Sequence, residues 1–280
     1  MNATVAAAVL FAALLHASWN ALVKSGGSTL HSTALVAGGS AAMSALALPF
    51  CAAPAPESWP FLAASSLIQA VYYGMLAATY SGGEVSFAYP LMRGTAPMLV
   101  ALASLPLLGE RLHPLQWAAI GCICGGILSL CIQEHNAGRG SRRTAILALA
   151  TACLIASYTV IDGLGVRRSG SALGYTLWIF LLSGGAFFVA AARRGNAQLL
   201  ALANARPRIL LLGGAGSMLS YGIALWAMTR APVATVAALR ETSILFATII
   251  AAFFLREKVN RRRVAAVLLV ASGATLMRLG

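Results

Sequence analysis

Acidic residues are scarce in this chain, with seven Asp and Glu among 280 residues, and only 10% of all residues are charged. A water-soluble domain keeps its surface wet with roughly a quarter charged residues. This chain has no means of covering a water-facing surface, so the bilayer must be its solvent. Long polar stretches are missing too, and the short segments between apolar runs leave no soluble domain to fold. Catalytic signatures are absent. No Gly-rich loop ending in Gly-Lys-Ser/Thr points to ATP, no His-Glu-x-x-His to a metalloprotease, and no Gly-x-Ser-x-Gly to a hydrolase. The five cysteines (Cys51, Cys122, Cys124, Cys131 and Cys153) form no Cys-x-x-Cys pair. They read as small core residues rather than disulfides or metal ligands. The expectation is a protein that is not an enzyme and uses no cofactor or metal.

What is present is apolar: 59% of residues are hydrophobic and the mean hydropathy is +0.81. At about 20 residues per crossing of a ~30 Å hydrocarbon core, the chain accommodates roughly ten spans. They read as Ala3–Val23, Leu30–Phe50, Pro60–Tyr80, the stretch opening at Val85, and Pro114–Ile132. A polar linker follows, and then Ala145–Asp162, Leu173–Ala192, Ile209–Met228, Val233–Leu255 and Val264–Met277. The first span has no basic leader and holds His16, Trp19 and Asn20, so it reads as a retained helix rather than a signal peptide. The net charge of +13 does not point to nucleic acid, because 18 of the 20 Lys and Arg sit in short loops or at span ends.

The fourth span has an echo. Val85–Arg111 and Pro232–Lys258 align at an offset of 147 positions, which lays Arg93 on Arg240 and Glu110-Arg111 on Glu257-Lys258. Ala17-Ser18-Trp19 likewise matches Ala156-Ser157-Tyr158, and Tyr73-Gly74 matches Tyr221-Gly222. The chain therefore divides into a five-span repeat at 1–132, a linker at 133–144 and a second five-span repeat at 145–280. An odd number of spans makes the second repeat enter from the opposite face. That yields an all-α integral membrane fold of ten transmembrane helices as two inverted five-helix repeats, a geometry typical of carriers that alternate access around a midplane site. Loops on one side hold thirteen Lys and Arg and loops on the other five. The positive-inside rule then puts the thirteen in the cytoplasm and both termini outside.

Arg93 and Arg240 lie about eight residues into their spans, roughly 12 Å deep at 1.5 Å per residue, near the bilayer midplane. A midplane arginine costs about 2.5–3.5 kcal/mol on insertion scales. A carboxylate, backbone carbonyls, water or an anionic substrate must offset that cost. Guanidinium groups grip carboxylate and phosphate in bidentate fashion, so a pair facing one cavity points to an anionic or zwitterionic substrate. The alternative for Arg240 is an internal pair, with the adjacent Glu241 the nearest carboxylate in sequence. His16, Trp19 and Asn20 fall on one face of the first span. They either meet substrate or join helices through hydrogen bonds. Tyr89, one turn before Arg93, shares its face. Tyr158, Tyr73 and Tyr221 are the further aromatic candidates for substrate binding, and Tyr72 stands beside them. Tyr80, at a span end, reads as an interfacial anchor.

His16 and Glu241 are the candidates for proton coupling. Asp162 ends its span and reads as water-exposed. Pro90 and Pro97 flank Arg93 and are expected to interrupt or bend the fourth helix. Gly121, Gly125 and Gly126 read as a small-residue packing face.

Two five-helix halves of this length, with Gly109-Glu110-Arg111 and Arg256-Glu257-Lys258 closing their fourth helices, resemble the EamA family of the drug/metabolite transporter superfamily. The resemblance covers essentially the whole chain. It implies a ten-helix permease for small metabolites with a central cavity, acting as a monomer or weak homodimer in a bacterial inner membrane. It also implies cytoplasmic termini, against the loop charges. Leu15-His16-Ala17-Ser18-Trp19-Asn20 is similar to a subgroup associated with phosphonate utilisation. A related branch that carries sugar phosphates binds phosphate through basic residues on the fourth and ninth helices, where Arg93 and Arg240 stand here. Partners are thus a small-molecule substrate, the lipid bilayer and a possible coupling proton. Cationic or lipophilic drug efflux is the competing function, and a structural membrane protein without transport the competing class.

Overall fold

The structure is a computed structural model that describes residues 1–24, 29–80, 84–136, 140–253 and 261–279. Among the described residues the chain is helical with no strand. The first repeat supplies α1 (Ala3–Lys24), α2 (Thr29–Ala47), α3 (Trp59–Tyr80), α4 (Val85–Leu108) and α5 (Pro114–Asn136). The second opens with α6 (Arg142–Arg168). Its next rod is α7 (Ala172–Ile179) and α8 (Gly185–Ala205) joined by a π-helical turn, Phe180–Gly184. A second π turn, Ile209–Gly213, leads into α9 (Gly214–Met228). The last span-length rod is split into α10 (Val233–Arg240) and α11 (Ser243–Phe253), and α12 (Arg261–Leu279) closes the chain.

Nine segments among the described residues are long and apolar enough to cross a membrane. The tenth, α12, starts with three arginines, which lower its hydropathy, but it lies along α5. Large apolar side chains face outward all round the bundle, among them Leu67, Leu102, Leu107, Leu182 and Leu268. Water would penalise such a surface and lipid does not.

Local chemistry sets the helix ends. Gly109 at φ +68° ends α4, its N–H reaching Leu105 O, while the Glu110 N–H reaches Ser104 O. Only a residue free of a Cβ takes that left-handed cap without strain. Ser141 and Ser171 cap α6 and α7 by accepting the N–H of Thr144 and Gly174 at 3.2 and 3.0 Å.

The halves interlock in a symmetric way. α6, the first helix of its half, packs on α3 and α4 of the other; α1 packs on α9, α10 and α11. The second helices of the halves meet as α2 against α7 and α8, and the fifth as α5 against α12. Close approach depends on glycine. A Cβ on Gly39 would collide with the backbone carbonyl of Leu210 in the second π turn, and one on Gly273 would sit 2.8 Å from Ala119 O of α5. Of the three glycines of α5, Gly126 is the one packed tightly, on Ala266 and Val270 of α12. A Cβ added at Gly121 or Gly125 would meet no described atom within 4 Å, so tight packing on a neighbouring helix falls on Gly126 alone of the expected three.

Three further expectations change. α4 runs unbroken through Pro90, Pro97 and Pro106, whereas its symmetry mate breaks immediately after Arg240 without any proline. There Glu241 and Thr242 form a turn of i→i−3 bonds: Glu241 N–H to Ala238 O, Thr242 N–H to Leu239 O and Ile244 N–H to Glu241 O. The Thr242 hydroxyl also donates to Leu239 O at 2.7 Å, competing for a carbonyl the helix would use. α6 continues past Asp162 to Arg168, so Asp162 is interior to its helix and fully buried, not wet. The Glu257-Lys258 pair lies outside the described residues.

Candidate functional site

A cavity of about 490 Å3 lies between the halves. His16, Trp19 and Asn20 of α1 line one wall, Tyr73 of α3 and Tyr89 and Arg93 of α4 the next, and Tyr158, Tyr221 and Arg240 the second-half side. These are the substrate-binding candidates read from the sequence, together with His16; Glu241 sits just behind Arg93, in a separate void. Tyr72 and Tyr80 also line the cavity, Tyr80 from the last residue of α3. The cavity extends past Val23, Leu30, Tyr80 and Val85, toward the end where α1 meets α2 and α3 meets α4.

The two arginines, equivalent by sequence, are not equivalent in space. Arg93 Nε lies 2.8 Å from Glu241 Oε2, with side chains 13% and 6% exposed. This pairing crosses the halves, so the alternative of an internal pair of Arg240 with Glu241 is not what forms; it is Arg93 that takes the carboxylate. The turn after Arg240 redirects Glu241 toward α4. The ion pair is badly angled: Arg93 Nε and Nη2 and Glu241 Oε2 are buried with no hydrogen-bond partner among the described residues. A void of about 20 Å3 beside them, walled by Pro97, Tyr158 and Ala237, is large enough for one bridging water.

Arg240 instead lays its guanidinium over the Tyr221 ring, 4.8 Å from the centroid. Among the described residues no carboxylate lies within ion-pair distance of it. A cation over a π face keeps its N–H edge free for an oxyanion.

The aromatic walls are braced by one another. Tyr73 stacks on Phe187 of α8 at 4.3 Å and 14°, Tyr72 meets Tyr158 edge-on at 5.7 Å, and His16 meets Trp19 edge-on at 5.2 Å. Asn20 spends its amide on the His16 carbonyl at 2.7 Å, bonding within α1 rather than across helices. Trp19 Nε1 is buried without a partner among the described residues.

Sequence reasoning missed the polar centre beneath the cavity. Asp162 Oδ1 accepts the Tyr175 hydroxyl at 3.0 Å, and Oδ2 accepts the Tyr221 hydroxyl at 2.5 Å and Gln69 Nε2 at 3.4 Å. Gln69 Nε2 also donates to Ser65, and its Oε1 accepts the Ser183 hydroxyl from the first π turn. The signal was available: a glutamine inside an apolar span is as costly as the residues that were singled out.

The opposite end of the bundle is clamped. Glu110 accepts the Val233 N–H with both carboxylate oxygens at 2.9 Å, capping α10 from the other half. Arg167 reaches Glu110 at 2.6 Å and also donates to Met228 O and Ala231 O, at 2.8 and 3.0 Å. Negative charge at a helix N-terminus is favourable, and the pair joins α4, α6, α9 and α10. Glu110 of the first closing motif is thus a tie between halves at this end, with Arg167 rather than the adjacent Arg111 as its basic partner.

Residues 3–132 and 142–279 match the EamA-like transporter family. No curated protein matches the chain. A solved crystal structure of a protein at 18% identity aligns with a TM-score of 0.73 over 100% of this chain and 99% of that one, and so has the same fold. With both halves matched, nine apolar spans among the described residues and a cavity between the repeats, this multi-pass integral membrane protein belongs to the EamA-like transporter family.

Proposed function

We propose that this chain is a secondary transporter for a small anionic or zwitterionic metabolite (an amino acid, a phosphonate or a similar organic anion), working by alternating access. One observation carries the reading: Arg240, with no carboxylate partner among the described residues, presents its guanidinium to a cavity of about 490 Å3, the size of a small-ligand site. Arg93 is already held by Glu241, so the anion contact falls on Arg240, with Arg93 positioning the wall behind it. Trp19, Tyr89, Tyr158 and Tyr73 flank the substrate body, and Asn20 and Tyr221 border it. The cavity's extension to one end and the Glu110–Arg167 clamp at the other support a carrier open on one side. Rocking of the 1–132 and 145–280 halves about the 133–144 linker would exchange those ends. If the basic loops are cytoplasmic, the open end faces the cytoplasm.

The test is a thermal-stability panel on purified protein with amino acids, phosphonates, organic phosphates and cationic drugs, because a bound ligand raises stability by mass action. Stabilisation by anions or zwitterions supports the reading. Stabilisation by lipophilic cations alone returns the aromatic cavity to drug efflux and overturns it.

A further inference from the structure

We infer that Asp162 is the proton site of this carrier, taking up a proton when an anion docks at Arg240 and releasing it when the anion leaves. The coupling rests on the proposed reading of Arg240; the protonation of Asp162 does not.

The first reason is charge balance. Four charged side chains lie at the level of the site, Arg93 and Arg240 against Glu241 and Asp162, so with both carboxylates ionised the empty site is neutral. An anion arriving at Arg240 leaves one negative charge in excess in a low-dielectric interior, where an uncompensated charge is costly. A zwitterion brings its own compensation; a plain anion needs a proton.

The second reason is connection. Asp162 is one side chain away from Arg240: Tyr221 carries the guanidinium on its ring and hands its hydroxyl proton toward Asp162 Oδ2. Drawing Arg240 toward an anion disturbs the ring whose hydroxyl holds the carboxylate. Glu241 follows Arg240 in the chain but is already held by Arg93 and stands outside the main cavity, so it is the less available proton acceptor. His16 lines the cavity, but a proton there would add a third positive charge to two guanidinium groups.

The third reason is access. Asp162 itself is fully buried, yet Tyr221 and Gln69, which both bond Oδ2, line the cavity. Three helices and a π turn supply its network, while α4 and α10, also packed on α6, bring Arg93, Arg240 and Glu241 to the site. α3 gives Ser65 and Gln69, α7 gives Tyr175, the first π turn gives Ser183, α9 gives Tyr221, and α6 itself carries Tyr158. Arg240 is the cation that shares Tyr221 with it, and His16, Arg93, Glu241 and the cavity tyrosines Tyr72, Tyr73 and Tyr89 are further ionisable groups across the site. In the loading step the Tyr221 O–H bond breaks as its proton passes to Oδ2, and a proton from the bulk, relayed through cavity water, re-forms that O–H bond. The net change is one bulk proton taken up and one O–H bond formed on Asp162.

Infrared difference spectra of the protein in lipid, without substrate, read the site directly. On acidification the wild type is expected to gain the carbonyl stretch of a protonated carboxylic acid. That band should vanish in Asp162→Asn and survive in Glu241→Gln. A band that survives in Asp162→Asn overturns the assignment. Should Asp162→Asn not fold, Tyr221→Phe serves instead. Losing a donor to the carboxylate should raise the pH at which the band appears, and an unmoved onset overturns the assignment equally.

Vesicles with an internal pH dye then test coupling, with methylphosphonate and L-alanine as probes. Wild type should move protons with methylphosphonate and few or none with alanine, and Asp162→Asn should lose the proton flux. Methylphosphonate transport without proton flux in wild type overturns the coupling. If neither probe moves while the band is lost in Asp162→Asn, the substrate reading fails and the proton site stands.

Discussion

Replacing Arg93 by Gln removes the positive half of a buried pair while leaving Glu241, 6% exposed, charged and without its counter-ion. At a charge separation of about 4 Å and an effective dielectric near 20, the lost attraction is about 4 kcal/mol. Breaking buried pairs in this way costs about 3–5 kcal/mol in measured cases. That is a large fraction of a stability on the order of 5–15 kcal/mol. The double variant Arg93→Gln with Glu241→Gln leaves two neutral amides that can bond each other, so it should regain much of the loss. The coupling energy of the cycle should be about 2–3 kcal/mol. Equilibrium unfolding of the four proteins in mixed micelles measures it. The reasoning is refuted if Arg93→Gln unfolds within about 0.5 kcal/mol of wild type, as an exposed substitution would. Additive effects of the two changes refute it as well.

Glu110→Gln weakens the tie to Arg167 and the cap on Val233, so the closed end should open more often. In a variant with its native cysteines replaced, a cysteine at Ala231 should then react faster with a membrane-impermeant maleimide; an unchanged rate contradicts the gate. Gly273→Val sets methyl groups against the Ala119 carbonyl and Ile123 of α5. It should destabilise by about 1–3 kcal/mol, read as a lower melting temperature, whereas Gly121→Val, facing open space, should not. Outside the spans, hydrogen bonds from Thr144 and from the Ser141 backbone and hydroxyl hold the Glu84 carboxyl below its ordinary range. With the folded value depressed, that contribution is present above the unfolded value and fades as pH falls through the folded one. Hydrogen exchange at the Ser141 amide should therefore show lost protection on acidification, and Glu84→Gln should abolish the pH dependence.

The fold was legible because solvent leaves no choice: a chain this poor in charge must pair every backbone group within helices in lipid. The apolar runs gave the spans and Arg93 falling on Arg240 gave the two-repeat architecture, though not every span's ends. Polar intruders into those runs gave the cavity-lining candidates in the same way, since each costs energy unless it turns inward. What could not be read is asymmetry. The duplicated arginines suggested a matched clamp, but the turn at Glu241 and Thr242 sends Glu241 to Arg93 and leaves Arg240 on Tyr221. A periodicity argument assumes a continuous helix, and it failed at the one place where the helix stops. Pro90 and Pro97 do not interrupt α4, which leaves bending as the effect a proline inside a continuous helix can still have. Asp162 escaped notice because hydropathy ended its span too soon; Tyr175, Tyr221 and Gln69, which make it tolerable, come from three other helices.

The central claim is that Arg240 carries the anion contact while Arg93 does not. Isothermal titration tests it, using the anion that stabilises the wild type most in the thermal panel. The titration is run on wild type, Arg240→Gln and the Arg93→Gln/Glu241→Gln double variant. A charge-assisted hydrogen bond is worth about 1.5–3 kcal/mol. Arg240→Gln should therefore weaken binding roughly tenfold to a hundredfold, and the double variant should bind within a few-fold of wild type. Unchanged affinity in Arg240→Gln, or loss confined to the double variant, would contradict the account.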